Sequence, residues 1–248
     1  MVDRRLGMAE APGSNPGQST FLFHFFHFLL FYFMLIYLFK IFNYFSNLLR
    51  GFDVVEMGNI QIDLLYFINN GLQNPILDAV VPIIYSFTDV RVMLSLILLV
   101  LLFSWILKKD RINEIALLCL FAYCLTIAFS MVSKTFYPST RPFIALEGVR
   151  LVVHDNGFYS FPSGHFAISS AIVSVILMKA ENHRHELLAI SILYLLILAF
   201  VVIYGGVHYP IDVIGGGIIG VVAAAIVVRY QKVIVDRLKG LFKPFTFR

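Results

Sequence analysis

Charged residues are scarce in this chain. Asp, Glu, Lys and Arg make up 14% of its 248 residues, against 59% for the hydrophobic types, and the mean hydropathy is +0.84. An ordinary soluble domain carries about 25% charged residues, so this composition argues against a soluble protein. The net charge of +4 lies in short loops and a tail, where it reflects membrane topology, and we expect no nucleic-acid partner. The composition predicts an integral membrane protein in the bilayer.

Cysteine is almost absent as well. Cys119 and Cys124 are the two cysteines, and they lie five apart in one apolar run. At 3.6 residues per turn they face different sides of a helix. We therefore expect no disulfide between them, and they indicate no redox compartment.

Long apolar runs dominate what remains. A helix needs about 20 apolar residues to cross a bilayer, and the predicted spans are 21–50, an interrupted segment at 60–88, 91–107, 113–133, 165–179, 187–207 and 211–229. The predicted fold class is all-α, a polytopic membrane bundle of about six transmembrane helices. Gly216 and Gly220 form a Gly-x-x-x-Gly pair, which favours close helix packing.

The chain ends differ from this helical domain. Residues 1–20 are polar and rich in Gly and Pro, and 21–50 are rich in Phe. Residues 1–56 are either an extra helix or a mispredicted start with Met57 as initiator, and a signal peptide is less favoured. We predict a membrane domain at 57–232 and a basic cytoplasmic tail at 233–248.

Basic residues are distributed unevenly about the predicted spans. Of the 19 Lys and Arg residues, 11 lie in 108–111, 179–186 and the segment from 229 onward, and four lie on the opposite side. The positive-inside rule places the first side in the cytoplasm. The segments around 89–91, 134–164 and 208–210 are then outside.

Three polar clusters interrupt the apolar pattern on that outer side. Ionisable groups at a membrane boundary are costly and are usually kept for function. The clusters are Lys134 with Arg141, then Ser163, Gly164 and His165, and finally His208 with Asp212. We therefore predict one site at the outer face.

A phosphate suits these residue types. Lys134 and Arg141 supply positive charge. The Pro162-Ser163-Gly164-His165 segment is typical of a helix start, with Pro162 in the first turn and exposed N–H groups that favour an anion.

The histidines supply the remaining chemistry. Two imidazoles permit nucleophile and acid roles. Asp212, one turn beyond His208 with the helix starting at Pro210, can orient that ring.

Each residue also has a structural interpretation. Lys134 and Arg141 can extend toward lipid headgroups, each histidine can be an ordinary interfacial residue, and Asp212 can stabilise a helix start. A metal site of His165, His208 and Asp212 is a further alternative, although the two cations would repel a metal ion. For His154 and Asp155 in the outer loop, ordinary loop polarity is favoured over substrate contact.

Together the motifs resemble the type-2 phosphatidate phosphatase and vanadium haloperoxidase superfamily. They are Lys134-x6-Arg141-Pro142, Pro162-Ser163-Gly164-His165 and Gly206-Val207-His208-Tyr209-Pro210-x-Asp212, and "NNGLQNPILD" at 69–78 is similar to the start of prokaryotic members.

The resemblance implies a six-helix membrane phosphatase without metal or cofactor, in the lipid phosphatase branch. Its substrate would be a lipid phosphate, with undecaprenyl diphosphate first and phosphatidate, phosphatidylglycerol phosphate or a lipid A phosphate as alternatives. His208 would attack phosphorus, Asp212 would orient it, and His165 would serve as acid and base. The phosphate oxygens would bind to Lys134, Arg141, Ser163 and Gly164.

One departure leaves alternatives open. The family usually carries Ser-Arg six to seven residues before the second histidine, and here these positions are Val201 and Val202. Losing a transition-state donor can cost roughly 10²–10³ in rate. Either Arg91 or Arg150 replaces it, or the protein is a non-catalytic lipid-phosphate binder or a phosphotransferase.

Overall fold

The computed structural model describes residues 54–235, and these are helical apart from connecting loops and one isolated β-bridge between Thr140 and Tyr159. The predicted span at 21–50 and most of the basic tail lie outside the described residues. The helices are α1 (Val54–Tyr66), α2 (Pro75–Phe87), α3 (Val90–Ile106), α4 (Asp110–Phe136), α5 (Pro142–Ala145), α6 (Gly164–Lys179), α7 (Arg184–Tyr204) and α8 (Pro210–Arg229).

The all-α membrane class predicted from the sequence is confirmed. Three helices, α4, α7 and α8, are long and apolar enough to span a membrane, and α2 with α3 forms a fourth candidate that is bent by 51°. The bend falls where the Asp89 side chain caps α3 by accepting from the Arg91 N–H at 2.9 Å. With α6 only 16 residues long, the described helices do not reach the predicted count of about six spans.

The interrupted segment at 60–88 divides as its sequence indicates. After α1 the chain forms a π-helical turn at Phe67–Gly71 and then leaves the helical path. Asn74 starts α2, because its side chain accepts from the Ile76 N–H at 2.8 Å and Pro75 occupies the first turn.

Glycines on α8 bring this helix against α6. A Cβ at Gly216 would lie 2.7 Å from the Ser163 carbonyl oxygen, and one at Gly220 would overlap the Ala167 carbonyl oxygen. The close packing predicted for this pair is therefore confirmed. It places the starts of α6 and α8 side by side, and the Ser163 N–H donates to the Asp212 carbonyl at 3.0 Å.

Helix α7 ends at Tyr204, three residues before the predicted end of its span. The chain turns at Gly206, whose φ of +77° favours glycine and whose Cβ would clash with the Arg150 carbonyl. Asn69, fully buried, holds this turn by donating to the Tyr204 carbonyl at 2.7 Å and the Arg150 carbonyl at 2.9 Å. The turn leads directly to His208.

The two cysteines are free, as predicted. Cys119 is buried and Cys124 is exposed, so they face different environments on α4. Neither contributes a covalent constraint to the fold.

Candidate active site

The three polar clusters converge on one buried region. Lys134 lies in the last turn of α4, Arg141 precedes α5, Ser163 and His165 stand at the start of α6, and His208 and Asp212 flank the start of α8. His165 lies within electrostatic range of His208 and Arg141, and His208 within range of Arg141 and Lys134. All but Lys134 and Gly164 are buried.

This region contains several buried polar atoms without a hydrogen-bond partner in the protein. Buried polar groups are nearly always paired, so a group of unpaired donors and acceptors indicates a place for a polar ligand. The atoms are Ser163 Oγ, His165 Nε2, His208 Nε2, Arg141 Nε and Nη1, and Asp212 Oδ1.

His208 is held on one edge and free on the other. Its Nδ1 lies 3.5 Å from both Asp212 Oδ2 and Ser160 Oγ, and its Nε2 has no partner. Burial lowers the pKa of His208, and the hydrogen bond with Asp212 opposes this effect only in part. The lowered pKa favours the neutral form of the imidazole, and Nε2 is the ring nitrogen that no protein group contacts by a hydrogen bond.

The Asp212 side chain both stabilises the start of α8 and faces His208. Its Oδ2 accepts from the Tyr209 N–H at 2.7 Å and from the Ser160 hydroxyl, and it also faces His208. Pro210 occupies the first position of α8, as predicted. The carboxylate thus fixes the helix start and the ring in one arrangement.

The start of α6 differs in one detail from the prediction. Pro162 is not in the first turn, because Ser163 is the N-cap and α6 begins at Gly164. Pro162 instead follows a cis peptide bond from Phe161. A Cβ at Gly164 would meet no atom within 4 Å, so open space lies beside the first N–H groups of the helix.

His165 is supported by a ring from another helix. The Tyr85 ring of α2 packs on its imidazole, with centroids 4.2 Å apart and planes 34° apart. This contact leaves His165 Nε2 unpaired.

Arg141 is held by the loop between α5 and α6. Its Nη1 forms an ion pair with Asp155 Oδ2 at 2.7 Å. The interpretation of Asp155 as ordinary loop polarity is wrong, because its side chain is only 12% exposed and it pairs with a site residue. His154 beside it is exposed.

Lys134 completes the cationic side of the region. It is half-buried and lies within electrostatic range of Arg141, Asp155 and Asp212. Within residues 54–235, there is no group of three or more His, Cys, Asp or Glu side chains that could hold a metal ion.

Neither Arg91 nor Arg150 stands in for the arginine missing at Val202. Val201 and Val202 are buried in an apolar cluster with Leu65 and Tyr204. Arg91 has a 91% exposed side chain paired with Asp89.

Arg150 is also engaged elsewhere. Its guanidinium lies 2.5 Å from Asp78 and donates to the Asn69 carbonyl at 2.9 Å. The structure therefore supports neither replacement.

Sequence reasoning missed two residues of this region, Ser160 and Tyr85, and misinterpreted a third, Asp155. Ser160, Tyr85 and Asp155 lie outside the motifs, yet each contacts a motif residue. Ser160 precedes Ser163 by three residues and was the easiest to suspect. Tyr85 belongs to a distant helix, and its sequence gave no signal.

Known proteins resemble this chain in sequence. The model of the PAP2 superfamily matches residues 115–235, which contain all three motifs. The bacitracin transport permease protein BcrC of Bacillus licheniformis is 24% identical over 178 residues, covering 70% of this chain and 81% of that protein. An undecaprenyl-diphosphatase of Sulfolobus acidocaldarius is 28% identical over 110 residues, covering 44% of this chain and 52% of the relative.

Two solved structures share the fold. The PAP2-type phosphatidylglycerolphosphate phosphatase of Bacillus subtilis superposes with a TM-score of 0.63 at 20% identity, covering 78% of this chain and 94% of that chain. LpxE of Aquifex aeolicus superposes with a TM-score of 0.56 at 30% identity, covering 68% of this chain and 94% of that chain. With the three motifs in order, these similarities show that the chain belongs to the PAP2 superfamily, in its membrane lipid-phosphatase branch.

Proposed function

We propose that this protein hydrolyses a membrane lipid phosphate through a covalent phosphohistidine at His208. The observation that carries the proposal is the free, buried Nε2 of His208, with Nδ1 held toward Asp212. Unpaired atoms of Ser163, His165 and Arg141 lie in the same region. A tetrahedral phosphate can satisfy such a set.

The groups divide the reaction into two steps. In the first, the phosphate binds to Lys134, Arg141, the Ser163 hydroxyl and the N–H groups at Gly164. His208 Nε2 then forms a bond to phosphorus, the bond from phosphorus to the leaving oxygen breaks, and His165, which takes up a proton when the anionic phosphate binds beside it, gives that proton to the leaving oxygen. Asp212 stabilises the positive charge that develops on the attacking ring.

The second step restores the enzyme. Neutral His165 takes a proton from water, and the resulting hydroxide oxygen bonds to phosphorus as the bond to His208 breaks. Inorganic phosphate leaves. The fixed cations favour both transition states because they act in a region that excludes most water.

A polyprenyl diphosphate, such as undecaprenyl diphosphate, is the substrate we favour. The site lies where α4 ends and α6 and α8 begin, and a lipid headgroup would reach it there. One relative is named an undecaprenyl-diphosphatase. Phosphatidate, phosphatidylglycerol phosphate and a lipid A phosphate are the alternatives.

The uneven distribution of basic residues supports an outward-facing site. The 11 Lys and Arg residues of one side would be cytoplasmic, together with the tail at 233–248. The phosphatase domain would occupy 57–232 of a multi-pass protein in the cell membrane.

The test is phosphate release by purified protein in detergent micelles. Undecaprenyl diphosphate is supplied with a chelator in place of divalent metal, and free phosphate is measured over time. We expect the wild type to release phosphate and His208→Ala to release none. The control is His185→Ala, at the exposed start of α7, and it should keep the wild-type activity. Undiminished release by His208→Ala would contradict the proposal.

A trapping experiment tests the intermediate itself. With substrate labelled in its terminal phosphate and an alkaline denaturing quench, label should remain on the wild-type protein and be absent from His208→Ala. Phosphohistidine is stable in base and labile in acid, so an acid quench should release the label. Label that survives acid would place the phosphate on a different residue type.

The valine at 202 favours a second candidate function. A site without the family's usual arginine can bind a lipid phosphate yet turn it over too slowly to matter, or transfer the group to an alcohol. Binding without release in the same assay would support a lipid-phosphate binder. Release that depends on added alcohol would support a phosphotransferase.

A further inference from the structure

Asp155 stands in a network that joins two motifs of the site. Its Oδ2 lies 2.7 Å from Arg141 Nη1 and accepts from the Tyr85 hydroxyl, and its Oδ1 accepts from the Gly157 N–H at 2.6 Å. Burial alone would raise the pKa of Asp155, but the hydrogen bonds from Tyr85 and Gly157 and the charge of Arg141 lower it below its usual value. The group is therefore a carboxylate at neutral pH.

Tyr85 connects this carboxylate to the second motif. Its hydroxyl donates to Asp155, and its ring packs against His165 at a centroid distance of 4.2 Å. Tyr85 is itself buried. Tyr85 therefore links Asp155 to the ring that packs on His165.

Gly157 closes the loop onto the guanidinium. A Cβ at this position would lie 2.5 Å from Arg141 Nη2, so any other residue would require the guanidinium to shift. The Arg141 N–H also donates to the Phe158 carbonyl at 3.2 Å. The loop holds the arginine by backbone and side chain, while Nε and Nη1 lack a hydrogen bond.

We propose that Asp155 and Tyr85 are positioning residues, which hold the phosphate-binding Arg141 and the acid–base His165 in a fixed relation. The inference rests on the function proposed above and extends it to residues outside the three motifs. Arg141 is the only buried arginine within residues 54–235. With Val202 in place of a second arginine, phosphate binding depends more heavily on the orientation of this one guanidinium.

The main competing interpretation predicts the opposite change in phosphate affinity. If Asp155 were only an internal anion that occupies Arg141 until substrate arrives, its neutralisation would strengthen phosphate binding. If it orients Arg141, neutralisation weakens binding. The affinity of the protein for inorganic phosphate therefore separates the two.

The experiment compares Asp155→Asn and Tyr85→Phe with the wild type. Asn keeps the shape and an acceptor but removes the charge, and Phe keeps the ring on His165 but removes the hydroxyl. The matched control is Glu181→Gln, which neutralises the exposed partner of Arg111 at the other end of the bundle. Inorganic phosphate binding is measured by ³¹P NMR titration, and kcat and KM by phosphate release.

Asp155→Asn should weaken phosphate binding and raise KM by roughly tenfold to hundredfold, as expected when a charged hydrogen-bond partner is lost. Tyr85→Phe should have a smaller effect in the same direction. The loss of phosphate affinity in the double variant should be smaller than the product of the two single losses, because both residues act through one network. Asp155→Glu should restore part of the loss, and Glu181→Gln should match the wild type.

Tighter phosphate binding by Asp155→Asn, or unchanged binding and kinetics in both variants, would overturn the inference. If Asp155→Asn does not fold, Tyr85→Phe gives the same test at smaller amplitude. A wild type that binds phosphate without releasing it from lipid would refute the proposed hydrolysis, and the phosphate titration would still decide the role of Asp155.

Discussion

Replacing Asp212 with Asn separates the two functions of this carboxylate. Asp212 Oδ2 accepts from the Tyr209 N–H at 2.7 Å, which secures the start of α8, and it lies 3.5 Å from His208 Nδ1. The carbonyl oxygen of Asn can keep the first contact. Asn carries no negative charge, however, so it cannot stabilise the positive charge that develops on the His208 ring during attack.

The expected magnitudes follow from this geometry. Asp212 is the N3 residue of a capping box at the start of α8, and loss of a capping interaction costs about 0.5–2 kcal/mol. Asp212→Ala should therefore destabilise the fold, while Asp212→Asn should change its stability little. In a serine protease triad the same exchange lowers kcat by about 10⁴. Because the His208–Asp212 separation of 3.5 Å is longer than an ideal hydrogen bond, we expect a fall of about 10²–10³, or roughly 2.7–4 kcal/mol.

Phosphate release and thermal unfolding measured on the same preparations test this prediction. The matched control is Asp110→Asn, since Asp110 is an exposed carboxylate in the first turn of α4. Asp212→Asn should melt close to the wild type with a greatly reduced kcat. A kcat within threefold of the wild type, at unchanged stability, would refute the orienting role of Asp212.

Three further predictions concern other parts of the molecule. Because burial lowers the pKa of His208, kcat/KM should hold as the pH falls through about 6.5 and decline only at lower pH; an acid limb at or above 6.5 would contradict this. Gly220→Leu should lower the free energy of unfolding by about 1–3 kcal/mol, because its Cβ would overlap the Ala167 carbonyl; a melting temperature equal to the wild type would show that the helices can separate freely. Asn69→Leu should cost about 1–3 kcal/mol, since the Tyr204 and Arg150 carbonyls lose their buried donor; the exposed neighbour Asn70→Leu serves as control and should cost less.

The sequence predicted the helices closely because apolar runs and their interruptions carry the information. The spans predicted at 113–133 and 211–229 correspond to Asp110–Phe136 and Pro210–Arg229. The prediction was less accurate where a backbone turn ended a helix inside an apolar run. Gly206 ends α7 early through its positive φ and its contact with Arg150, and the apolar pattern around it gave no sign of this.

The motif residues were found because each combines an ionisable side chain with a membrane boundary. Their partners were missed because nothing local distinguishes them. Tyr85 is one aromatic residue among many on an apolar helix, and it acquires its role only through contacts with His165 and Asp155. Asp155 resembled loop polarity until the fold paired it with Arg141.

From the sequence alone came the membrane class, the helix pattern and the identity of the groups that could bind phosphate, because hydropathy and titratable chemistry are properties of the residues themselves. The tertiary structure decided which nitrogen of His208 is free, what holds Arg141, and that neither Arg91 nor Arg150 replaces the arginine missing at Val202. These features depend on contacts between residues far apart in the chain, such as Tyr85 with His165 and Asn69 with Tyr204. Such contacts exist only after the helices have packed.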